Sequence, residues 1–302
     1  MKQAILFHNP KAGDKAYPKK ELIELIEKNG FRCRYISTKK KNWNDFDTDA
    51  DLFVVAGGDG TLRKLIKELL EKRSDGPIPS ITLIPLGTAN NIARTLGFEG
   101  KPKKIISKWP EFVSKRFDVG KISNIGETEF FLESFGYGIF PYLMAEIQKT
   151  EDKNDSSDNR MKDALNLLHK IILSYEPRQC HLEIDGSDHS GKFILAEVMN
   201  TKAIGPNLIL SPLADTSDGE FEFVFIPEKD KEKFAEYILH KINDRELTYQ
   251  FSTLKAKNIV IRWDGIHVHA DDEIVRLKRS AEIKIELKQG WLEFLVPKTK
   301  EE

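Results

Sequence analysis

The chain has 302 residues, 40% of them hydrophobic and 31% charged, with a mean hydropathy of -0.44. At ~100–200 residues per domain this suggests two domains, each with ample material for a core. Its 47 Lys and Arg against 48 Asp and Glu exclude a protein that coats nucleic acid along its length, yet residues 1–117 carry 17 Lys and 6 Arg against 7 Asp and 7 Glu, a net +9, and the remainder carries -10.

Only Cys33 and Cys180 occur, neither in a CxxC pair, so no disulfide framework or thiolate metal site is supported and a reduced cytoplasm is the natural compartment. The apolar run 4–7 is too short for a signal-peptide core. No stretch approaches the ~20 apolar residues of a membrane-spanning helix, so any membrane contact is expected to be peripheral.

From the N-terminus, short apolar runs alternate with amphipathic segments. Residues 4–8 read as a buried strand, 19–29 as a helix stopped at Gly30, 31–37 as a strand and 52–56 as a third. Then come a helix over 61–73, a strand over 81–85 and a helix over 88–96 stopped at Gly97. This alternation predicts an open α/β domain with a mainly parallel sheet.

After Pro110 strands dominate: 116–123, 128–135, 179–185, 192–199, 220–225, 258–263, 266–270, 282–287 and 292–296. They predict a β-sandwich or barrel-like second domain. Two helical candidates, 142–149 and 161–174, interrupt it, and the polar stretch 150–159 between them reads as a mobile loop. Within RWDGIHV, Asp264-Gly265 reads as a hairpin turn.

Three motifs carry chemistry. AGGDGT (56–61) follows an apolar strand: Gly57, Gly58 and Gly60 let backbone N–H groups approach an anion, and Asp59 suits a magnesium ion or the cap of the following helix. PLGTANNIAR (85–94) again joins strand to helix, with Gly87 for the turn, Thr88 as a cap, and Asn90 and Asn91 near a helix N-terminus that favours phosphate. HNPKAG (8–13) offers Asn9, Lys11 and Gly13. All three, and Thr38 after the second strand, fall at carboxyl ends of strands, where open α/β sheets bind ligands. GxxxxGK[ST] and GxGxxG are absent, which disfavours a P-loop or standard dinucleotide fold.

The ordered set of NPKAG, GGDGT, PLGTANNIAR, FDVGKIS, FLESFGYG, LEIDG, EVMN, LSPLADTSDGEFE, ADDE and LEFLVP resembles the diacylglycerol kinase catalytic family, particularly the soluble bacterial lipid kinases related to sphingosine and ceramide kinases. The resemblance implies an α/β ATP-binding domain over 1–117, a β-sandwich lipid domain over 118–288, and a tail, about 289–302, packing back on the first. ATP would sit in the cleft and its γ-phosphate would pass, with Mg2+, to a hydroxyl of diacylglycerol or a related lipid. Asn9, Pro10, Lys11, Ala12, Gly13, Thr38, Gly57, Gly58, Asp59, Gly60, Thr61, Leu62, Arg63, Gly87, Thr88, Asn90 and Asn91 form the expected nucleotide site. Asp59 would help hold the catalytic magnesium, and Asp271 or Glu273 would accept the hydroxyl proton. Asp218, with backbone carbonyls near Asp215 and Glu220, would hold a second, structural magnesium. The expected partners are a lipid substrate and a peripheral membrane surface, not nucleic acid; the protein would be cytoplasmic and transiently membrane-associated, with a homodimer left open.

Three positions depart from the family pattern. Ala12 replaces a serine, Asn91 replaces the acidic residue of GTxND, and Asp272 replaces the glycine of DGE, which adds a like charge beside the base. Asn91 therefore keeps a non-catalytic nucleotide- or lipid-binding protein as an alternative, and GGDGT keeps a soluble-substrate kinase of NAD kinase type. His267, His269 and Asp271 share one strand face and could bind a transition metal, although a polar face beside a cleft is the plainer reading. Lys39 to Lys41 and the run 101–104 read as solvated surface or contacts to anionic headgroups. The aromatic segment 130–142 reads mostly as core, with part of it and helix 161–174 at the mouth of an acyl cavity.

Overall fold

The structure, a computed structural model, describes residues 1–13, 17–72, 78–126, 129–150, 157–245, 251–277 and 280–298. The chain divides into two compact units, Met1–Phe117 with Gly290–Glu302, and Asp118–Gln289. Most of the expected mobile loop, and the start of the strand expected over 128–135, lie outside the described residues.

In the first unit the order is β1 (Lys2–His8), α1 (Lys19–Lys28), β2 (Phe31–Ser37), β3 (Leu52–Gly57), α2 (Asp59–Glu71), β4 (Ser80–Pro85), α3 (Asn91–Thr95) and α4 (Pro102–Ser107). β1 is flanked by β2 and β3, and β4 lies beyond β3, all parallel. Because the chain moves to one side of β1 and then to the other, β1 and β3 form a topological switch point, and the segments leaving their carboxyl ends diverge around a crevice. Ala4 to Phe7 and Leu52 to Gly57 are buried without interruption, the pattern of strands covered on both faces. Leu22 and Ile26 of α1, one turn apart, pack on this sheet, and the helix ends where Gly30 takes φ +88°.

β5 (Val113–Ser123) leads into the second unit, whose strands are β6 (Phe130–Phe131), β7 (Ser134–Gly138), β8 (Arg178–Ile184), β9 (Ser187–Asp188), β10 (Gly191–Met199), β11 (Ala203–Ile204), β12 (Leu208–Ile209), β13 (Phe221–Pro227), β14 (Ser252–Ala256), β15 (Asn258–Trp263), β16 (His267–Ala270), β17 (Glu273–Arg276) and β18 (Glu282–Val296). Their pairing within this unit is antiparallel: β17-β16-β7-β10 on one side, β8-β15-β18 continuing from β10, and β13-β14 on its other edge. Alternate side chains, among them Tyr137, Leu182, Phe223, Ile261 and Val268, fill one core. The opposite face of β10 and β13 is covered by α5 (Ile139–Thr150), α6 (Ser157–Ser174) and α7 (Lys231–Ile242).

Several expectations change. α7 was not expected, although Phe234, Ala235, Tyr237 and Ile238 have helical spacing and are buried. The strands expected over 282–287 and 292–296 are one strand, β18, despite Gly290 at φ +57°. Asp264-Gly265 is not a hairpin turn, because β15 pairs with β8 and β18 whereas β16 pairs with β7 and β17.

Candidate phosphate site and acidic turn

At the carboxyl edge of the first unit's sheet, the loops after β1, β3 and β4 are tied together. The Asn9 N–H donates to the Ala56 carbonyl (2.9 Å), its side-chain oxygen accepts from the Lys11 N–H (3.1 Å), and its amide nitrogen lies 3.5 Å from the Thr61 hydroxyl. Thr38 is buried, with its N–H and hydroxyl both directed to the His8 carbonyl (2.9 and 3.3 Å), so its side chain fastens the strand ends. Gly57 leaves room for the Thr61 side chain; a Cβ there would strike it.

The glycine loop and the β4–α3 loop meet backbone to backbone. A Cβ on Gly87 would lie 2.5 Å from the Gly58 Cα, and one on Gly58 would lie 3.0 Å from the Gly87 Cα. Asn90 closes the second loop, accepting from the Gly87 N–H (2.9 Å) and donating to the Gly87 carbonyl (2.7 Å), at φ +52°. That left-handed residue delays α3 until Asn91, so Thr88 is not the cap, and the Asn90 side chain is spent inside its own loop.

Asp59 is the capping group, for a helix other than the one it begins. Its carboxylate accepts the Asn91 N–H (3.0 Å) and the Ile92 N–H (3.2 Å), supplying negative charge to the start of α3. Asn91 is 1% exposed, and Thr61, Leu62 and Arg63 are buried. Gly58, Asp59 and Gly60 remain partly open to solvent, as do Asn9, Ala12, Gly87 and Asn90, while Pro10, Lys11, Gly13 and Thr88 are exposed. Lys39 joins this edge: burial and then the charges of Lys64 and Lys11 hold its ammonium below the ordinary lysine range. The charges of Lys64, on α2, and Lys11, after β1, thus oppose the Lys39 ammonium, which an anion would relieve. Lys64, one turn into α2, was missed in the sequence because an exposed helical lysine carries no distinguishing signal.

In the second unit the turn after β16 is pinned at Asp271, which has φ +53°. Its carboxylate accepts the backbone N–H groups of Leu132 (3.0 Å), Glu133 (2.7 Å) and Ser134 (3.2 Å), and its own N–H donates to the Ser134 carbonyl (2.8 Å). Glu273, two residues on, is exposed. His269 is 1% exposed and engaged by Glu197 and the Asp271 carbonyl, while His267 is exposed, so the alternating histidines do not form a metal face. Of the aromatic segment, Phe130, Phe131, Phe135, Tyr137 and Phe140 are core. Tyr142 is 47% exposed and lines a cavity of about 380 Å3 with Ser174, Tyr175, Arg178 and Trp263.

Residues 3–122 match the diacylglycerol kinase catalytic domain, and residues 145–289 match the YegS C-terminal NAD kinase beta sandwich-like domain. The chain belongs to the diacylglycerol kinase catalytic family. Diacylglycerol kinase of Bacillus subtilis is 25% identical over 281 residues, covering 82% of this chain and 83% of that protein. Diacylglycerol kinase of Mycobacterium tuberculosis is 26% identical over 231 residues, covering 74% and 70%. A crystal structure of a diacylglycerol kinase from Bacillus anthracis superposes with a TM-score of 0.72 at 22% identity, covering 98% of this chain and 97% of that one, which establishes the shared fold. The architecture is therefore an N-terminal α/β catalytic domain with a β-sandwich-like domain after it. No helix among the described residues is long and apolar enough to cross a membrane.

In this diacylglycerol kinase family member the carboxylates expected to hold a structural magnesium already have a cation. Lys255 Nζ lies 2.8 Å from Asp218 Oδ2, 2.9 Å from Glu220 Oε2 and 4.0 Å from Glu222. The other Asp218 oxygen accepts the Glu220 N–H (3.0 Å), and Asp215 accepts the Ser217 N–H and hydroxyl (3.0 and 2.8 Å). Hydrogen bonds to Asp218 and then Glu220 raise the Lys255 pKa, and the one to Lys255 lowers that of Glu220. These groups do not fit an open magnesium cage, because the ammonium occupies the Asp218 side chain.

Two outcomes follow from these contacts. Gly87→Ala must displace the Gly58 backbone and should cost about 1–3 kcal/mol, read as a lower melting temperature. The wild-type melting temperature should be the same in EDTA and in millimolar MgCl2, whereas Lys255→Gln should melt lower and recover with Mg2+; a wild type that loses stability on chelation would return these carboxylates to a metal.

Proposed function

We propose that the protein is an ATP- and Mg2+-dependent lipid kinase that transfers the γ-phosphate to a hydroxyl of diacylglycerol or a related lipid. The observation that carries this reading is the convergence of the three strand-end loops at the switch point, in a chain of the diacylglycerol kinase family. The partly exposed glycine loop, the Asn9 side chain and the Lys11 ammonium would bind the nucleotide phosphates, with Lys39 and Lys64 countering their charge. Pinning Gly58 against Gly87 preorganises these donors, so little reorganisation accompanies binding.

Asp59, a partly exposed carboxylate at the glycine loop, is the hard oxygen donor that would take part in holding a magnesium ion bound with the nucleotide. When bound, the ion would supply charge neutralisation of the phosphates. Asn91 supports a weaker hold on that ion than the family's usual acidic residue would.

The acceptor hydroxyl must lose a proton as it attacks phosphorus. Between the two candidate bases, the Asp271 carboxylate is engaged by the backbone N–H groups of Leu132, Glu133 and Ser134, which fasten it to the neighbouring strand. Glu273 therefore takes the base role, and Asp271 is the anchor that carries it. The cavity beside Tyr142, Tyr175 and Trp263 supplies an amphipathic wall for a lipid.

The test is transfer of radiolabelled phosphate from ATP to a lipid panel in mixed micelles. Wild type should label a diacylglycerol or related lipid; Glu273→Gln should lose about 10²- to 10⁴-fold in turnover with nucleotide affinity retained, and Asp271→Asn should chiefly lower the melting temperature. Labelling of NAD rather than lipid, or full activity in Glu273→Gln, would overturn the reading.

A further inference from the structure

Glu197 on β10 and His269 on β16 form an ion pair beneath α5. Both are effectively inaccessible, at 0% and 1% exposure. Along β10, Leu195 and Met199 face the helical layer, and Glu197 shares their side; along β16, Val268 and Ala270 face the sandwich core, and His269 points the other way. Gly136 of β7 pairs with both Glu197 and His269, and a Cβ on it would collide with the Glu197 carboxylate. The absent side chain at 136 is what admits a carboxylate into this layer.

Both imidazole nitrogens meet acceptors. Nε2 lies 2.9 Å from Glu197 Oε1 and 3.1 Å from Oε2, and Nδ1 lies 3.0 Å from the Asp271 carbonyl oxygen. A neutral ring has one N–H and serves one of them; only the imidazolium donates to both. A carboxylate this deep requires a partner, because an unpaired buried charge costs several kcal/mol at least. Facing the ring are Glu197 from β10, Gly136 from β7, Ile274 across β17 and the Phe140 ring of α5, 6.4 Å away. Among the described residues the charges acting on it are those of Glu197 and Asp271. Burial pushes the ring toward neutrality, yet the Glu197 carboxylate and the bond to Asp271 outweigh it and raise the His269 pKa.

We propose that the buried His269–Glu197 ion pair is the positioning device for the acidic turn over 271–273, fixing the Asp271 carbonyl and hence the backbone that carries Glu273; its catalytic consequence rests on the base role given to Glu273 above. Asp271 is thereby held at every polar group: its N–H by Ser134, its carboxylate by three amides and its carbonyl by His269. A left-handed aspartate is strained and persists only where its surroundings overdetermine it. The pair stabilises the fold fully below the ordinary histidine pKa, and that contribution fades as pH rises through the raised folded value.

The direct test is 15N NMR of histidine-labelled full-length protein. His269 should keep two protonated ring nitrogens to higher pH than a free histidine does; a ring that loses a proton at or below the free-histidine midpoint would overturn the ion pair. Glu197→Gln keeps the side-chain shape and removes the charge. In that variant the amide resonances of Asp271 to Glu273 should move while those of Gly57 to Gly60 stay, and kcat should fall about 10- to 100-fold with the KM for ATP unchanged. Unmoved turn resonances would overturn the positioning role whether or not the protein turns over lipid. An inactive wild type whose ring is protonated and whose turn responds to Glu197→Gln would count against the base reading alone.

Discussion

The candidate phosphate site depends on one carboxylate reaching across to a neighbouring helix. Asp59 leaves β3 at the glycine loop and accepts the first N–H groups of α3, so the loops after β3 and β4 hold one geometry. The Gly58–Gly87 contact is its steric counterpart: the loops come this close because neither residue has a side chain. An anion arriving there would meet a partly exposed glycine loop and the Lys39 ammonium, already opposed by Lys64 and Lys11, which supports reading the +9 of residues 1–117 as a local field for a polyanion.

The second unit uses buried charge differently. Asp271 rests on three backbone amides, Glu197 and His269 neutralise one another under a helix, and Lys255 gathers Asp218 and Glu220 at the surface. Much of the acidity of residues 118–302 that the resemblance would give to base and metal is thus answered by partners within the unit. A buried ion pair is weak support for stability, since desolvation offsets most of the attraction. Its value here lies in holding a conformation that a neutral, apolar replacement would not specify.

Continuous apolar runs made the parallel strands legible, down to the bounds of β2, and strand-end glycines marked the loops that converge. The long-range partners were not legible. Asn90 reads as an outward amide, and only its left-handed backbone turns it into its own loop; Asp59 reads as a cap for α2, and only the sheet order brings α3 to it. His269 belongs to an alternating pattern that suggests metal, and its partner Glu197 lies 72 residues away on β10. Lys255 similarly lies 37 residues from Asp218. Tertiary pairing across strands decides each of these roles, and local sequence carries no trace of it.

The central claim is that the loops after β1, β2, β3 and β4 form one nucleotide-phosphate site. A 1H–15N NMR titration of the full-length protein with MgATP tests it most directly. Amide shifts should concentrate in residues 9–13, 38–39, 57–61 and 87–92 and saturate with a single affinity. Saturable shifts that map elsewhere, or no shifts at millimolar nucleotide, would contradict the account.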